Sequence, residues 1–335
     1  MNRLQEQPLI GESPVFLEVL ERVSRVAQLN RPVLVIGERG TGKELVAARI
    51  HYLSPRWDRP FVKLNCAALA ESLLETELFG HEAGSFTGAT RRRLGRFELA
   101  NEGSLFLDEL SNTSERVQEK VLRVIEYGEL ERVGGNDTIR TDVRIIGATN
   151  EDLPALAKQG KFRADLLDRL AFDVITLPPL RERPEDIMPL ADHFAVKMSG
   201  ELGLELFEGF SEAAKELLMD YAWPGNVREL KNVVERAVYT ALGDDEVISE
   251  INFDPFESPW RPGGNADDTP ADAMAGLPRE AYDFKDHIQQ IEINLLKDAL
   301  EQCRFNQKKT AEFLGMTYHQ LRGYLRKYEL TDQID

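Results

Sequence analysis

Residues 15–29 place apolar side chains at helical spacing (Val15, Phe16, Val19, Leu20, Val23), which predicts an amphipathic helix. Val33-Leu34-Val35-Ile36 follows, an unbroken β-branched run that ends in glycine, as a buried parallel strand does. Similar runs stand at Phe61-Val62-Lys63-Leu64, Ser104-Leu105-Phe106-Leu107, Val143-Arg144-Ile145-Ile146 and Phe172-Asp173-Val174-Ile175. Helical patterns separate them, among them 115–127, where Val117, Val121, Leu122 and Ile125 share one face. Strands alternating with helices predict an α/β fold with a parallel sheet covered on both sides. After Pro178-Pro179 the pattern is helical to about Leu242, a small α-domain. Residues 255–280 are poor in apolar side chains and rich in Pro, Gly, Asp and Ala, too polar to fold alone, and read as a linker. Three helical patterns occupy Phe284 to Leu330. The expected divisions are 1–178, 179–254, the linker 255–282, and 283–335.

Composition narrows the class. At 335 residues, 42% hydrophobic and 30% charged, the chain can bury a sizeable core in two or three domains. It has no run of eighteen apolar residues, which argues against membrane insertion, and Met1 to Gln7 lacks the apolar stretch of a signal peptide. Two cysteines, Cys66 and Cys303, are too few for a metal site and are expected to be reduced. The expectation is a cytoplasmic protein. The net charge of −17 argues against nucleic-acid binding over the whole surface. Between Cys303 and Tyr328, however, six cations stand against Glu312 alone, so any such contact belongs to this end.

Gly37-Glu38-Arg39-Gly40-Thr41-Gly42-Lys43 lies between a predicted strand and helix, where a phosphate-cradling loop belongs. Its glycines let backbone N–H groups converge on phosphate oxygens, and Lys43 reaches the β- and γ-phosphates of a nucleotide such as ATP. The usual Ser or Thr after the lysine is Glu44, so Mg2+ must rest on Asp108, water and the nucleotide, or on Glu44. Asp108 and Glu109 end a buried strand; Asp108 suits magnesium through water, and Glu109 suits orienting the attacking water. Thr149 and Asn150 end another strand and either sense the γ-phosphate or form a turn. Arg163 and Arg169 stand six residues apart, which on a helix separates them by about 120°. Either they reach a neighbour's nucleotide or they pair with Asp165 and Asp168. Trp223-Pro224-Gly225-Asn226-Val227-Arg228 predicts a turn with Asn226 as N-cap; Arg228 contacts the γ-phosphate or pairs with Glu229 or Asp220.

Between the two halves of this site lies Gly84-Ser85-Phe86-Thr87-Gly88-Ala89, a flexible segment that reads as a tool moved by nucleotide chemistry. At the far end, Asn306 to Arg322 reads as helix, glycine turn at Gly315, helix. Thr317, Tyr318, His319 and Gln320 would face base edges, with Lys308, Lys309, Arg322, Arg326 and Lys327 supplying the positive charge for phosphates. The apolar helix Ile288 to Leu296 suits pairing with a second copy, giving a dimeric DNA-binding unit.

These residues together resemble the AAA+ activators of sigma-54 RNA polymerase, the bacterial enhancer-binding proteins. The resemblance covers about Leu9 to Asp254 and the C-terminal helices. Glu44 after the lysine is that family's own variant, and Phe79-Gly80-His81-Glu82 leading into the hexapeptide resembles its sigma-contacting loop, with Ser85 for the usual alanine. The resemblance implies an AAA+ P-loop domain with an α-helical lid, then a linker and an all-α Fis-type helix-turn-helix domain. It implies that Glu109 is the catalytic glutamate, Asn65 its switch partner, and Arg228 the second sensor. Arg163 and Arg169 would act in trans in a ring, a hexamer, and 131–137 would form a second loop beside the first. Phe86 and Thr87 would touch the sigma factor. Only 36 residues precede Gly37, which resembles the phage shock (membrane stress) type without a receiver domain. That type implies a negative regulator in trans, for which Trp57, in a charged turn, is a candidate contact; burial against a helix is the alternative. The function implied is ATP-driven remodelling of the sigma-54 holoenzyme from enhancer DNA. A DNA-tethered ATP switch, repressor or scaffold, and an AAA+ remodeller of another client are the competing readings.

Overall fold

The computed structural model describes residues 8–86, 89–204, 206–241, 247–256, 258, 261, 289, 292, 293, 295–297, 299, 300 and 306–328. The predicted linker lies outside them except for 255, 256, 258 and 261, as do Thr87, Gly88 and Cys303. The chain divides into two compact units, residues 1–255 and 256–335.

The first unit opens with α1 (Pro14–Ala27), β1 (Val33–Ile36), α2 (Lys43–Tyr52), β2 (Phe61–Asn65) and α3 (Glu71–Phe79). Next come β3 (Gly80–His81), β4 (Arg93–Leu94), α4 (Arg96–Leu99), β5 (Ser104–Asp108), α5 (Glu115–Tyr127), β6 (Glu129–Leu130) and β7 (Ile139–Arg140). Then follow β8 (Arg144–Thr149), α6 (Leu153–Lys158), α7 (Ala164–Leu170), β9 (Val174–Thr176), α8 (Ile187–Glu201), α9 (Glu212–Asp220) and α10 (Asn226–Thr240). The main sheet is five-stranded and parallel, in the order β2-β5-β8-β1-β9. β3–β4 and β6–β7 are short antiparallel pairs apart from it.

Strand periodicity sorts the apolar residues to two faces. Leu34, Leu105, Leu107 and Ile145 pack with α3, α5 and α7 through Leu74, Leu78, Val117, Val121 and Leu166. Val33, Val35, Phe106, Ile146 and Ala148 pack on the opposite face with Val23, Val26, Val46 and Ile50 of α1 and α2. β8 is buried along its whole length, which explains why it runs beyond the apolar run to the polar Thr149. On it Gly147 leaves room for close packing, because a β-carbon there would lie 2.9 Å from Leu34 Cδ2 and 3.1 Å from Leu110 Cδ2 and would press on both.

Both ends of α1 are tied down by buried charges. Asp186, fully buried, accepts from the backbone N–H of Glu12 (2.6 Å) and Ser13 (2.8 Å) and from Ser13 Oγ (2.8 Å). At the other end Arg144 donates to the carbonyls of Val26 (2.8 Å), Ala27 (2.7 Å) and Arg31 (3.1 Å). Burial pushes the Arg144 guanidinium down to about 10, so it stays charged at neutral pH and complements the negative helix end.

The helices α8, α9 and α10 close round Trp223, which is fully buried and donates its Nε1–H to the Leu218 carbonyl at 2.9 Å. In the second unit, α11 (Gln307–Phe313) and α12 (Tyr318–Lys327) pack through Ala311, Leu321 and Leu325 onto Leu296 and Leu300. Gly315 takes φ +65° in the turn between them. Among the described residues no helix is long and apolar enough to cross a membrane.

Candidate functional site

The loop from Gly37 to Gly42 leaves β1, the strand next to the centre of the sheet, and runs straight into α2. Gly40 and Gly42 take φ of +80° and +98°, left-handed conformations that glycine adopts freely. Thr41 Oγ1 donates to the Glu38 carbonyl at 2.8 Å and tightens the turn. Lys43 is buried and its ammonium donates to the carbonyls of Gly37 (2.8 Å) and Glu38 (3.1 Å), curled into its own loop. Burial lowers its pKa, against the pull of Glu109 and Asp108. Glu44 instead turns toward β2, where Lys63 donates to it at 3.1 Å.

β5 lies two strands from β1 and delivers the acid pair to the same end of the sheet. Asp108 accepts from the Glu109 amide at 3.0 Å and from Asn65 Nδ2 at 3.3 Å, so Asn65 reaches Asp108 in this structure, not Glu109. Asn65 also accepts the Ala67 amide at 2.9 Å and caps the short 3-10 turn after β2. Glu109 takes φ +51°, a left-handed conformation rare away from glycine and costing about 1–2 kcal/mol. β8 sits between β5 and β1, and Thr149 at its end donates to Ser111 Oγ at 3.1 Å. Asn150 therefore leaves the sheet between the phosphate loop and the acid pair.

The helical subdomain covers this arrangement. Glu38 accepts from Arg181 through two bonds (2.7 and 3.0 Å) and from Asn226 Nδ2 (3.0 Å). Arg181 first, then Asn226, holds the Glu38 carboxyl down at about 2. Gly225, not Asn226, takes the N-cap position of α10, and Asn226 is its first residue. Glu229 accepts from the Gly225 amide (2.7 Å) and the Tyr221 hydroxyl (3.3 Å), and among the described residues no ion pair joins Arg228 to Glu229 or Asp220. Arg228, Lys43, Asp108 and Glu109 instead line one cavity of about 310 Å³. Its other end is apolar, built by Ile10, Leu190, Phe194 and Val227. Nothing in the sequence marked Leu190, Phe194 and Val227 as more than core residues, since their periodicity is that of any amphipathic helix, and Ile10 precedes the first helix with no pattern of its own. Arg183 also lines it, 4.6 Å from the Phe16 ring and donating to the Thr41 carbonyl at 3.3 Å.

Arg163 and Arg169 lie outside that cavity. Arg163 is the N-cap of α7, not within a helix, and pairs with Asp165 at 2.7 Å. Arg169 pairs with Glu126 of α5 at 2.8 Å, where Asp168 was the expected partner. Both remain partly solvent-exposed, Arg169 at 60%.

The described residues of the hexapeptide, Gly84, Ser85, Phe86 and Ala89, lie in the connection from β3 to β4. Gly84 takes φ +84° and its amide donates to the Ala89 carbonyl at 2.7 Å, pinching the base of the loop. Phe86 is 47% exposed, with its ring 5.0 Å from His81. Ser85 Oγ donates to the Glu82 carbonyl at 2.8 Å. The predicted second loop lies alongside: a β-carbon on Gly134 would fall 2.4 Å from Ser85 Cβ. Buried Arg132 binds both Glu82 (2.7 Å) and Glu98 (2.9 Å) across this contact. Trp57 is 64% exposed, not buried against a helix.

In the second unit Thr317 and Gln320 form a reciprocal capping box at the start of α12, with the Gln320 amide donating to Thr317 Oγ1 at 3.3 Å. Tyr318 donates to Gln307 at 3.3 Å, and Lys327 pairs with Glu292 at 3.6 Å. His319, Lys308, Lys309, Arg322 and Arg326 are exposed.

The chain matches the sigma-54 interaction domain over residues 9–176, the AAA+ ATPase lid domain over 181–259, and the bacterial regulatory protein Fis family over 288–328. It is 57% identical over 327 residues to the Psp operon transcriptional activator of Escherichia coli (strain K12), covering 96% of this chain and 98% of that protein. It is 45% identical to the Nif-specific regulatory protein of Azotobacter vinelandii, covering 94% of this chain and 58% of that one. Among solved structures, NtrX from Brucella abortus in complex with ADP is similar with a TM-score of 0.68 at 31% identity, over 97% of this chain and 71% of that one. NtrX in complex with ATP gives 0.68 at 32%.

Proposed function

This chain belongs to the AAA+ sigma-54-dependent transcription activators, and from that membership we propose that it hydrolyses ATP to remodel the sigma-54 RNA polymerase holoenzyme. The observation that carries the proposal is the single cavity where the phosphate loop, the acid pair and Arg228 converge. Its apolar end suits a purine base, and its polar end suits a triphosphate. The loop amides and Lys43 hold the β- and γ-phosphates once the ammonium turns from its own carbonyls. Asp108, a single carboxylate lining the cavity, fits a magnesium ion, whose remaining positions would be filled by water and nucleotide oxygens. The ion, when bound, neutralises charge developing on the phosphate oxygens. Glu109 orients the attacking water, and Asn150 and Arg228 contact the γ-phosphate.

Arg163 and Arg169 reach the nucleotide of an adjacent subunit, which requires a ring, a hexamer in this reading. Hydrolysis moves the loop from Gly84 to Ala89, and exposed Phe86 with Thr87 engages the sigma factor. The C-terminal helices bind enhancer DNA as dimeric units, with His319 at base edges and Arg322 and Arg326 on phosphates. Relatedness to the Psp operon activator supports a role in a stress response, and in this reading a negative regulator acts in trans, for which exposed Trp57 suits a contact.

The test is open-complex formation by sigma-54 polymerase on a melted-start promoter with the purified chain and ATP. Opening that Glu109→Gln removes supports the proposal. Hydrolysis without opening means another client, and a ring without hydrolysis means an ATP switch.

A further inference from the structure

Two non-glycine residues of one turn, Trp223 and Asn226, hold φ of +51° and +53°. Such conformations persist only where the surroundings over-determine them. For Trp223 the surroundings are the core of the helical subdomain. For Asn226 they are the phosphate loop. Its side chain is fully buried, and its three hydrogen bonds all leave its own helix. Oδ1 accepts from the Leu180 amide at 2.8 Å; Nδ2 donates to Glu38 Oε2 at 3.0 Å and to the Arg39 carbonyl at 3.1 Å. Both N–H donors of the amide are thus used, and two of its partners belong to the loop that cradles phosphate. Glu38 is fixed from its other side by Arg181.

Backbone packing follows the same line. A β-carbon on Gly40 would lie 2.2 Å from the Gly225 carbonyl and 3.1 Å from Arg228 Cβ. The first turn of α10 therefore rests on the loop with no side chain between, and Arg228 stands two residues beyond Asn226. A helix start pinned at one residue moves its next turn as a rigid body.

We propose that Asn226, held by Glu38, is a positioning residue that makes Arg228 follow the phosphate loop. A shift of the loop on nucleotide binding or release then carries Arg228 and α10 with it, joining the helical subdomain to the nucleotide state. This inference rests on Arg228 as a phosphate-contacting residue.

The experiment is steady-state ATP hydrolysis by the full chain for wild type, Asn226→Ala, Arg228→Ala and the double variant, with ring assembly monitored in parallel. Misplacing Arg228 is expected to lower kcat by roughly 10-fold, with KM for ATP changed by less than about three-fold. In the Arg228→Ala background, Asn226→Ala should then have no further effect. Equal losses in both backgrounds overturn the inference and make Asn226 a support of the fold only. Arg228→Ala without effect instead sinks the phosphate-contacting reading, and the inference with it. Glu38→Gln runs through the same cycle in case Asn226→Ala fails to fold: its loss must also vanish without Arg228.

Discussion

Asn65 and Asp108 face each other across neighbouring strands β2 and β5, and the Asn65 amide donates to the Asp108 carboxylate at 3.3 Å. The other Asp108 oxygen accepts the Glu109 amide, so one short network joins the proposed magnesium ligand to the proposed catalytic glutamate. A strand pairing, not local sequence, makes this contact.

Removing the amide leaves Asp108 less firmly oriented. Hydrogen bonds to charged groups contribute about 1.5–3 kcal/mol when buried and less at an exposed position such as this, so Asn65→Ala is expected to raise the Mg2+ concentration for half-maximal hydrolysis by about three-fold. A magnesium titration of ATPase activity checks it. An unchanged titration with a lowered kcat would assign Asn65 to Glu109 instead.

Arg163 and Arg169 are engaged by Asp165 and Glu126 within the chain and lie outside the cavity proposed to hold its own nucleotide. If they serve a neighbour, mixing inactive Lys43→Ala protomers with inactive Arg169→Ala protomers should restore hydrolysis. Random one-to-one assembly leaves about a quarter of the interfaces with an intact loop on one side and an intact arginine on the other. No recovery in mixed rings would place the arginine's action within one subunit.

Phe86 packs edge-on to His81 and exposes nearly half its surface, so truncating it should cost little stability. Phe86→Ala is expected to keep hydrolysis within about two-fold and to abolish open-complex formation. Loss of hydrolysis in that variant would make the loop a structural element of the ATPase.

Arg181 and Asn226 hold Glu38 at about 2, below its ordinary 4.5. A depressed carboxylate pKa means that its stabilising contribution is complete above pH 4.5 and is lost as pH falls through about 2. The difference in urea midpoint between wild type and Glu38→Gln should therefore stay level from neutral pH to about 5 and narrow below 4.5. A constant difference down to pH 2 would mean that packing, not the charge, is what the substitution removes.

The sequence by itself determined the local chemistry of this protein. The glycine loop after a β-branched strand, the apolar run ending in Asp108-Glu109, the Gly-flanked Phe86 and the helix-turn-helix round Gly315 were all legible, because backbone conformation and periodicity act over a few residues. The alternation of strands and helices likewise implied a covered parallel sheet. Only the tertiary structure decided which distant groups meet. Asn65 found Asp108 and Arg169 found Glu126, each 43 positions away, and Asn226 found Glu38 across 188. Ile10, Leu190 and Phe194 became the apolar end of the cavity proposed to hold the nucleotide, although Leu190 and Phe194 have the spacing of ordinary helix core and Ile10 precedes the first helix. The physical reason is common to all of them. Whole strands and helices are placed by burial of their apolar faces, and the polar groups at their ends meet whatever that packing brings within reach.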